Sequence, residues 1–269
     1  MKEKTEMNIE VLKFGGGIFT DQWVMPLIRE TIVHKLDCGL KIIAVVSAIG
    51  KTTRGQLAKI PKDLVPDPDP REKDLLMASG ENDAIALLAM YLRGKEMKAK
   101  SFTGQQAGII TDDNFGDANI IDVKTGILRN FFKENDVAVV AGFQGVTKDG
   151  DITTLGFDGS DTTAITMAYR FGAKRCTLYK GVDGIYTHDP KVESNDAALL
   201  YKYLHYDDAY EAALKGTAKG IVHEKALKLC RDEYEKGKKV PEIVVHNISP
   251  VQSMYTTICG KRTEFYRGC

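Results

Sequence analysis

The chain predicts an α/β fold in three layers, a central, mostly parallel sheet covered by helices on both faces. Three observations lead there. Short β-rich runs alternate with stretches of helical periodicity along the chain, the pattern of strands joined by crossover helices. Polar, glycine-rich turns follow the 9–14, 41–46 and 137–142 runs, so one edge of the sheet collects all three, where such sheets bind ligands. The composition is that of an ordinary folded protein, 43% hydrophobic and 28% charged in 269 residues, enough for one large or two small domains.

Ile9–Phe14 is the first strand, broken by Gly15-Gly16-Gly17. Asp21 is placed to cap a helix whose Trp23, Leu27, Ile28, Ile32 and Leu36 recur at helical spacing. Lys41–Val46 is a second strand ending at Ser47. The proline-rich LVPDPDP (64–70) is a surface connection, followed by a long helix through Leu75, Leu76, Ala84, Leu87, Leu88 and Tyr91. Residues 137–142 form a buried strand, 162–170 a helix, 176–179 a strand, and 241–246 a last one. There is no internal repeat and no low-complexity tract.

Lysines and arginines number 37, as do the acidic residues, so bulk charge argues for no nucleic-acid or anionic-membrane partner. The opening MKEKTEMNIE has charge but no apolar core, unlike a secretory leader, and no apolar run approaches the roughly 20 residues that span a bilayer. Five dispersed cysteines (Cys38, Cys176, Cys230, Cys259, Cys269) make no CxxC pair and read as reduced thiols of the cytoplasm.

Lys13-Phe14-Gly15-Gly16-Gly17 offers backbone amides and one ammonium at a helix start, a phosphate-binding arrangement or a plain strand-to-helix turn. Gly50-Lys51-Thr52 is no P-loop, because position 45 is Val45; SAIGKTT (47–53) remains a second anion-contacting turn. Gly80 stands inside a helix at a cost of roughly 1 kcal/mol, which makes its neighbour Glu81 either a ligand for a substrate amine or a solvated helix acid. His223-Glu224 is no zinc helix, since position 227 is Leu227, and the five histidines share no ligand spacing. In VDGIYTHDP (182–190), Tyr186 can stack on an adenine and the acids can meet a ribose, or the segment is a tight turn.

In order, KFGG (13–16), VVSAIGKTT (45–53), REKDLLMASGE (71–81), FTGQQAGIITD (102–112), VAGFQGVTKDGDITTLG (140–156), GSDTTA (159–164) and VDGIYTHDP resemble the catalytic domain of aspartokinases, in the wider amino acid kinase family. The resemblance implies one domain over 1–269, with an acceptor-binding part near 1–150 and a nucleotide-binding part near 151–269, on an eight-stranded type of sheet. It implies transfer of the γ-phosphoryl of ATP to a carboxylate of a small amino acid, with Mg²⁺ on the phosphates, no metal held by the protein itself, and a homodimer. Lys13 would neutralise the migrating phosphoryl; Gly15, Gly16 and Ser47 would present donors to the phosphates. Lys180, Asp183, Tyr186, Asp189 and Lys191 would surround the nucleotide. Thr53, Phe143 and Ser160 would line the acceptor, and Glu81 and Asp161 would meet its α-ammonium. Such chemistry needs no general base, because a carboxylate is already a nucleophile.

The chain departs from the family pattern where LGRGGSD becomes Leu155-Gly156-Phe157-Asp158-Gly159-Ser160-Asp161. An arginine that would clamp a substrate carboxylate is Phe157, and a glycine is Asp158. A charge-assisted bond of that kind is worth about 1.5–3 kcal/mol. The change opens a second expectation, a kinase for a different amino or carboxylic acid. A third is a nucleotide-binding regulatory protein without turnover. Most aspartokinases continue into paired ACT domains; ending at Cys269, this chain is expected to lack control through them.

Overall fold

In the computed structural model the described residues are 7–20, 24–50, 52–61, 63–189, 192, 198–218, 220, 222–248 and 254–266. The proposed Asp21 cap lies outside them. The N-terminal half runs β1 (Ile9–Phe14), α1 (Val24–Asp37), β2 (Lys41–Val46), α2 (Thr52–Ala58), α3 (Pro70–Arg93), β3 (Ala99–Phe102), β4 (Ile109–Thr111), β5 (Ile120–Val123), α4 (Gly126–Phe131), β6 (Val137–Ala141) and β7 (Gln144–Val146). The C-terminal half follows with β8 (Ile152–Thr154), α5 (Gly159–Phe171), β9 (Arg175–Lys180), β10 (Tyr201–His205), α6 (Tyr206–Lys215), α7 (Glu224–Glu235), β11 (Glu242–Asn247), β12 (Thr256–Cys259) and β13 (Glu264–Phe265).

One sheet of nine strands, ordered β13-β10-β12-β11-β9-β1-β2-β6-β3, unites both halves. It is parallel from β11 through β3; the β11–β12 and β10–β13 pairings are antiparallel. The expected eight-stranded type is exceeded, the two-residue β13 pairing at the edge. A second sheet, β5-β4-β7-β8, had no counterpart in the sequence reading.

Strand alternation divides the core in two. From β1, Val11 joins Ala164, Ile165 and Ala168 of α5 and Leu227 of α7. Its neighbours Leu12 and Phe14 join Ile28 and Ile32 of α1 and Leu88 and Leu92 of α3. Those two cores are the expected helical layers on either face. The long helix α3 is started by Asp69, whose carboxylate accepts from the amides of Arg71 and Glu72, with Pro70 in the first turn. The 64–70 connection therefore gives up its last proline to the helix.

Candidate active site

The parallel pairing of β1 with β2 and β9, and of β2 with β6, puts the carboxyl ends of these strands side by side. The three polar turns do share one edge. Backbone bonds knit them: Gly15 donates to the Tyr179 carbonyl (3.2 Å), Ser47 to Phe14 (3.2 Å), Gly50 to Gly16 (3.0 Å) and Gly142 to Val46 (2.9 Å). Packing is close enough that a Cβ at Gly16 would lie 2.1 Å from the Ala48 carbonyl oxygen. Glycine there is a requirement of contact between turns. The Gly15 and Ser47 amides, expected as phosphate donors, are already committed to the sheet edge.

Lys13 lies on β1 with the same alternation as Val11, on the α5 side. Asp161, in the first turn of α5, is 1% exposed and stands between two ammonium groups. Lys13 Nζ is 2.9 Å from Oδ1 and Lys180 Nζ, at the end of β9, is 2.7 Å from Oδ2. Burial opposes charge on Asp161, but the two lysines outweigh it and hold the carboxyl well below the usual carboxylate range. Expected to meet a substrate ammonium, Asp161 instead has a lysine ammonium against each of its oxygens in the structure.

Glu81 is 3% exposed, facing inward from α3, and is not a solvated helix acid. Its Oε1 accepts from the Ala48 amide (3.0 Å), while its buried Oε2 has no hydrogen-bond partner among the described residues. Burial pushes its pKa up to about 7, with the backbone amides of Ala48 and of Glu81 itself opposing. Gly80 beside it is explained by packing, since a Cβ there would sit 3.0 Å from that of Ala48.

The 155–161 loop is built from both halves. Leu155 donates to the Phe143 carbonyl (2.9 Å), and the Thr163 hydroxyl accepts from the Phe143 amide (3.1 Å). Phe143 itself is buried at φ 68°, a strained setting for a bulky residue. Ser160 is buried on α5. Asp158 precedes α5 at φ 57° with no side-chain capping bond, in the left-handed region where its glycine counterpart carries no steric cost. Phe157 is 74% exposed.

Beyond β9, Asp183 accepts from the Asn247 amide nitrogen (3.1 Å), and Tyr186 bridges to Leu200. Asp189 is half-buried on the same excursion as Tyr186, while Lys191 lies outside the described residues, as does the side chain of Thr53. Among the described residues no cluster of three His, Cys, Asp or Glu side chains is arranged to hold a metal ion. One residue of the site escaped the sequence reading. Asp74 on α3 is fully buried, two helical turns before Glu81; an acid on the apolar face of a long helix was the available signal.

The sequence profile of the amino acid kinase family matches residues 8–240. The chain is similar to the aspartokinase of Geobacillus stearothermophilus, 39% identical over 235 residues that cover 87% of this chain and 55% of that protein. It is also similar to the aspartokinase of Mycolicibacterium smegmatis, 40% identical over 236 residues, 87% of this chain and 54% of the other. The chain thus spans about half the length of these curated relatives. Its structure resembles that of aspartate kinase from Synechocystis, with a TM-score of 0.76, 29% identity, and coverage of 94% of this chain and 40% of that one. The fold is also that of E. coli aspartokinase III in complex with aspartate and ADP, with a TM-score of 0.76 at 21% identity over 93% and 65% of the two chains. With its sheet, its edge turns and its buried lysine–aspartate–lysine group, the chain belongs to the amino acid kinase family.

Proposed function

We propose that the chain is an aspartokinase-type enzyme, transferring the γ-phosphoryl of ATP to a carboxylate of aspartate and releasing ADP and an acyl phosphate. The observation that carries this reading is Asp161 held between Lys13 and Lys180 at the carboxyl edge of the sheet. A phosphoryl group in transfer spreads negative charge over its oxygens, and fixed cations in a buried setting stabilise it without reorganising. Asp161 keeps the two ammonium groups from repelling each other apart before substrate arrives. We assign the Gly16 amide and the Ser47 hydroxyl as donors to phosphate oxygens.

At the acceptor end, the Oε2 of Glu81, unpartnered among the described residues, receives the substrate ammonium, and we assign Phe143 and Ser160 to the same acceptor. Neither Phe157 nor Asp158 supplies a cation for the second carboxylate of aspartate, which is therefore bound more weakly than an arginine at 157 would bind it. We assign Lys180, Asp183, Tyr186 and Asp189 to the nucleotide. Bound with the nucleotide, Mg²⁺ supplies charge neutralisation on the phosphates. No protein carboxylate cluster is needed to hold it.

We read 1–269 as one domain, with an acceptor part near 1–150 and a nucleotide part near 151–269; the sheet shared by both supports this. A homodimer in the cytoplasm is the setting we assign. The exposed Leu87 and Met90 on the outer face of α3 favour a second copy as partner, and no described helix is long and apolar enough to cross a membrane. An ADP-release assay over a panel of amino acids tests the reaction. Aspartate is expected to give ADP; a protein that binds ATP yet releases ADP with no amino acid would overturn the proposal.

A further inference from the structure

The helix α3 carries two buried carboxylates, Asp74 and Glu81, and each grips a different polar turn. Glu81 takes the Ala48 amide of the turn after β2. Asp74 takes three donors: its Oδ2 accepts from the amides of Thr154 (2.8 Å) and Gly116 (2.9 Å), and its Oδ1 from the Thr154 hydroxyl (2.7 Å). Thr154 is the last residue of β8 and opens directly into the loop that carries Phe157, Asp158 and Asp161. The Thr154 carbonyl in turn accepts from Ala118 (2.9 Å), so the 116–118 segment is fastened to the same point.

We propose that Asp74 is a positioning residue for the acceptor site. It fixes the stem of the 155–161 loop at a set distance from Glu81, with one rigid helix as the gauge. The assignment rests on the reading above that this loop and Glu81 share an acceptor. A fully buried carboxylate with three aimed donors is a strong tether, since losing it strands two amides and a hydroxyl in the interior. Its seven-residue offset from Glu81 places both on one face of the helix, two turns apart. A displacement of the stem therefore changes the geometry between residues 155–158 and Glu81 first, because Asp161 at the far end of the loop is itself pinned by Lys13 and Lys180.

The test uses the full chain with three substitutions. Asp74→Ala removes the tether. Thr154→Val removes only the hydroxyl bond and serves if the first variant does not fold. Asp74→Asn is the conservative rescue: its carbonyl oxygen can accept from both amides while its NH₂ faces the Thr154 hydroxyl. Thr154→Val is expected to raise the KM for the amino acid about tenfold, and Asp74→Ala more, while the KM for ATP moves by less than about twofold. Asp74→Asn is expected to stay near the parent protein. Amide hydrogen exchange over 152–161 should quicken in Asp74→Ala and Thr154→Val and not in Asp74→Asn. Unchanged exchange there, or equal increases in both KM values, overturns the role of Asp74. A parent protein that phosphorylates no amino acid sinks the aspartokinase reading instead, and the exchange measurement still decides on the tether.

Discussion

Asp161 and Glu81 are buried to nearly the same depth, yet their surroundings are opposites. Asp161 has two lysines within 3 Å or less and stays ionised far into acid. Glu81 has backbone amides, an oxygen with no partner among the described residues and a pKa of about 7. The end we assign to phosphate is thus electrostatically complete on its own, its acid present to hold cations in place. The end we assign to the acceptor is left one positive charge short. A preformed cation pair suits a group whose charge develops during reaction, and a missing cation suits a substrate that brings its own.

The largest effect is expected from breaking the complete end. Asp161→Ala leaves two buried ammonium groups facing each other and should cost about 3–5 kcal/mol of stability by denaturant titration. Asp161→Asn keeps the shape, and kcat should fall by about 10²–10³-fold. The acid contribution has a definite sign. The folded pKa lies below the unfolded one, so the stabilisation is present above the ordinary carboxylate range and is lost as pH falls toward the folded value. Acid unfolding of the parent should therefore be steeper than that of Asp161→Asn; parallel curves would remove the lysines from the explanation.

An intermediate effect is expected at the incomplete end. Glu81→Gln should raise the KM for the amino acid by about 10- to 100-fold with little change for ATP. Stability should move the other way. A folded pKa of about 7 against 4.5 means the native state holds the proton more tightly, so stability falls as pH rises from 4.5 through 7. Glu81→Gln should accordingly be more stable than the parent at pH 8, by about 2–3 kcal/mol, and no more stable near pH 4. Equal melting differences at the two pH values would show that Glu81 is not held short of partners.

The smallest effect is expected at the loop. Phe157→Arg with Asp158→Gly should raise kcat/KM for aspartate about tenfold by adding a carboxylate partner. Relief of the left-handed Asp158 should add about 0.5–1 kcal/mol of stability. An unchanged kcat/KM would show that position 157 does not address the acceptor.

Much of this contrast was legible before any coordinates. β1 and β2 have the bounds read from their apolar runs, and the three turns share the edge that parallel pairing dictates. Glu81 was marked by the glycine beside it. The rest depended on contacts that no local pattern encodes. Lys180 and Asp161 were assigned to different ligands because nothing in their spacing says that β9 brings one onto the other. β4, β7 and β8 are three residues long, too short for a periodic signal. Asp74 carries no motif, and its partners, Gly116 and Thr154, come from other elements entirely.

The lysine pair exists because β1 and β9 lie in one register, with Lys13 opposite Leu178 and Phe14 opposite Tyr179. A slip of one residue would turn Lys13 toward α1 and α3 and leave Asp161 with a single cation. Closing that pairing joins segments separated by more than half the chain, the kind of event that comes late in folding. A chain with its helices formed but these two strands apart lacks the lysine–aspartate–lysine group, so the nucleotide binding we propose would itself be a record that segments more than half the chain apart have met.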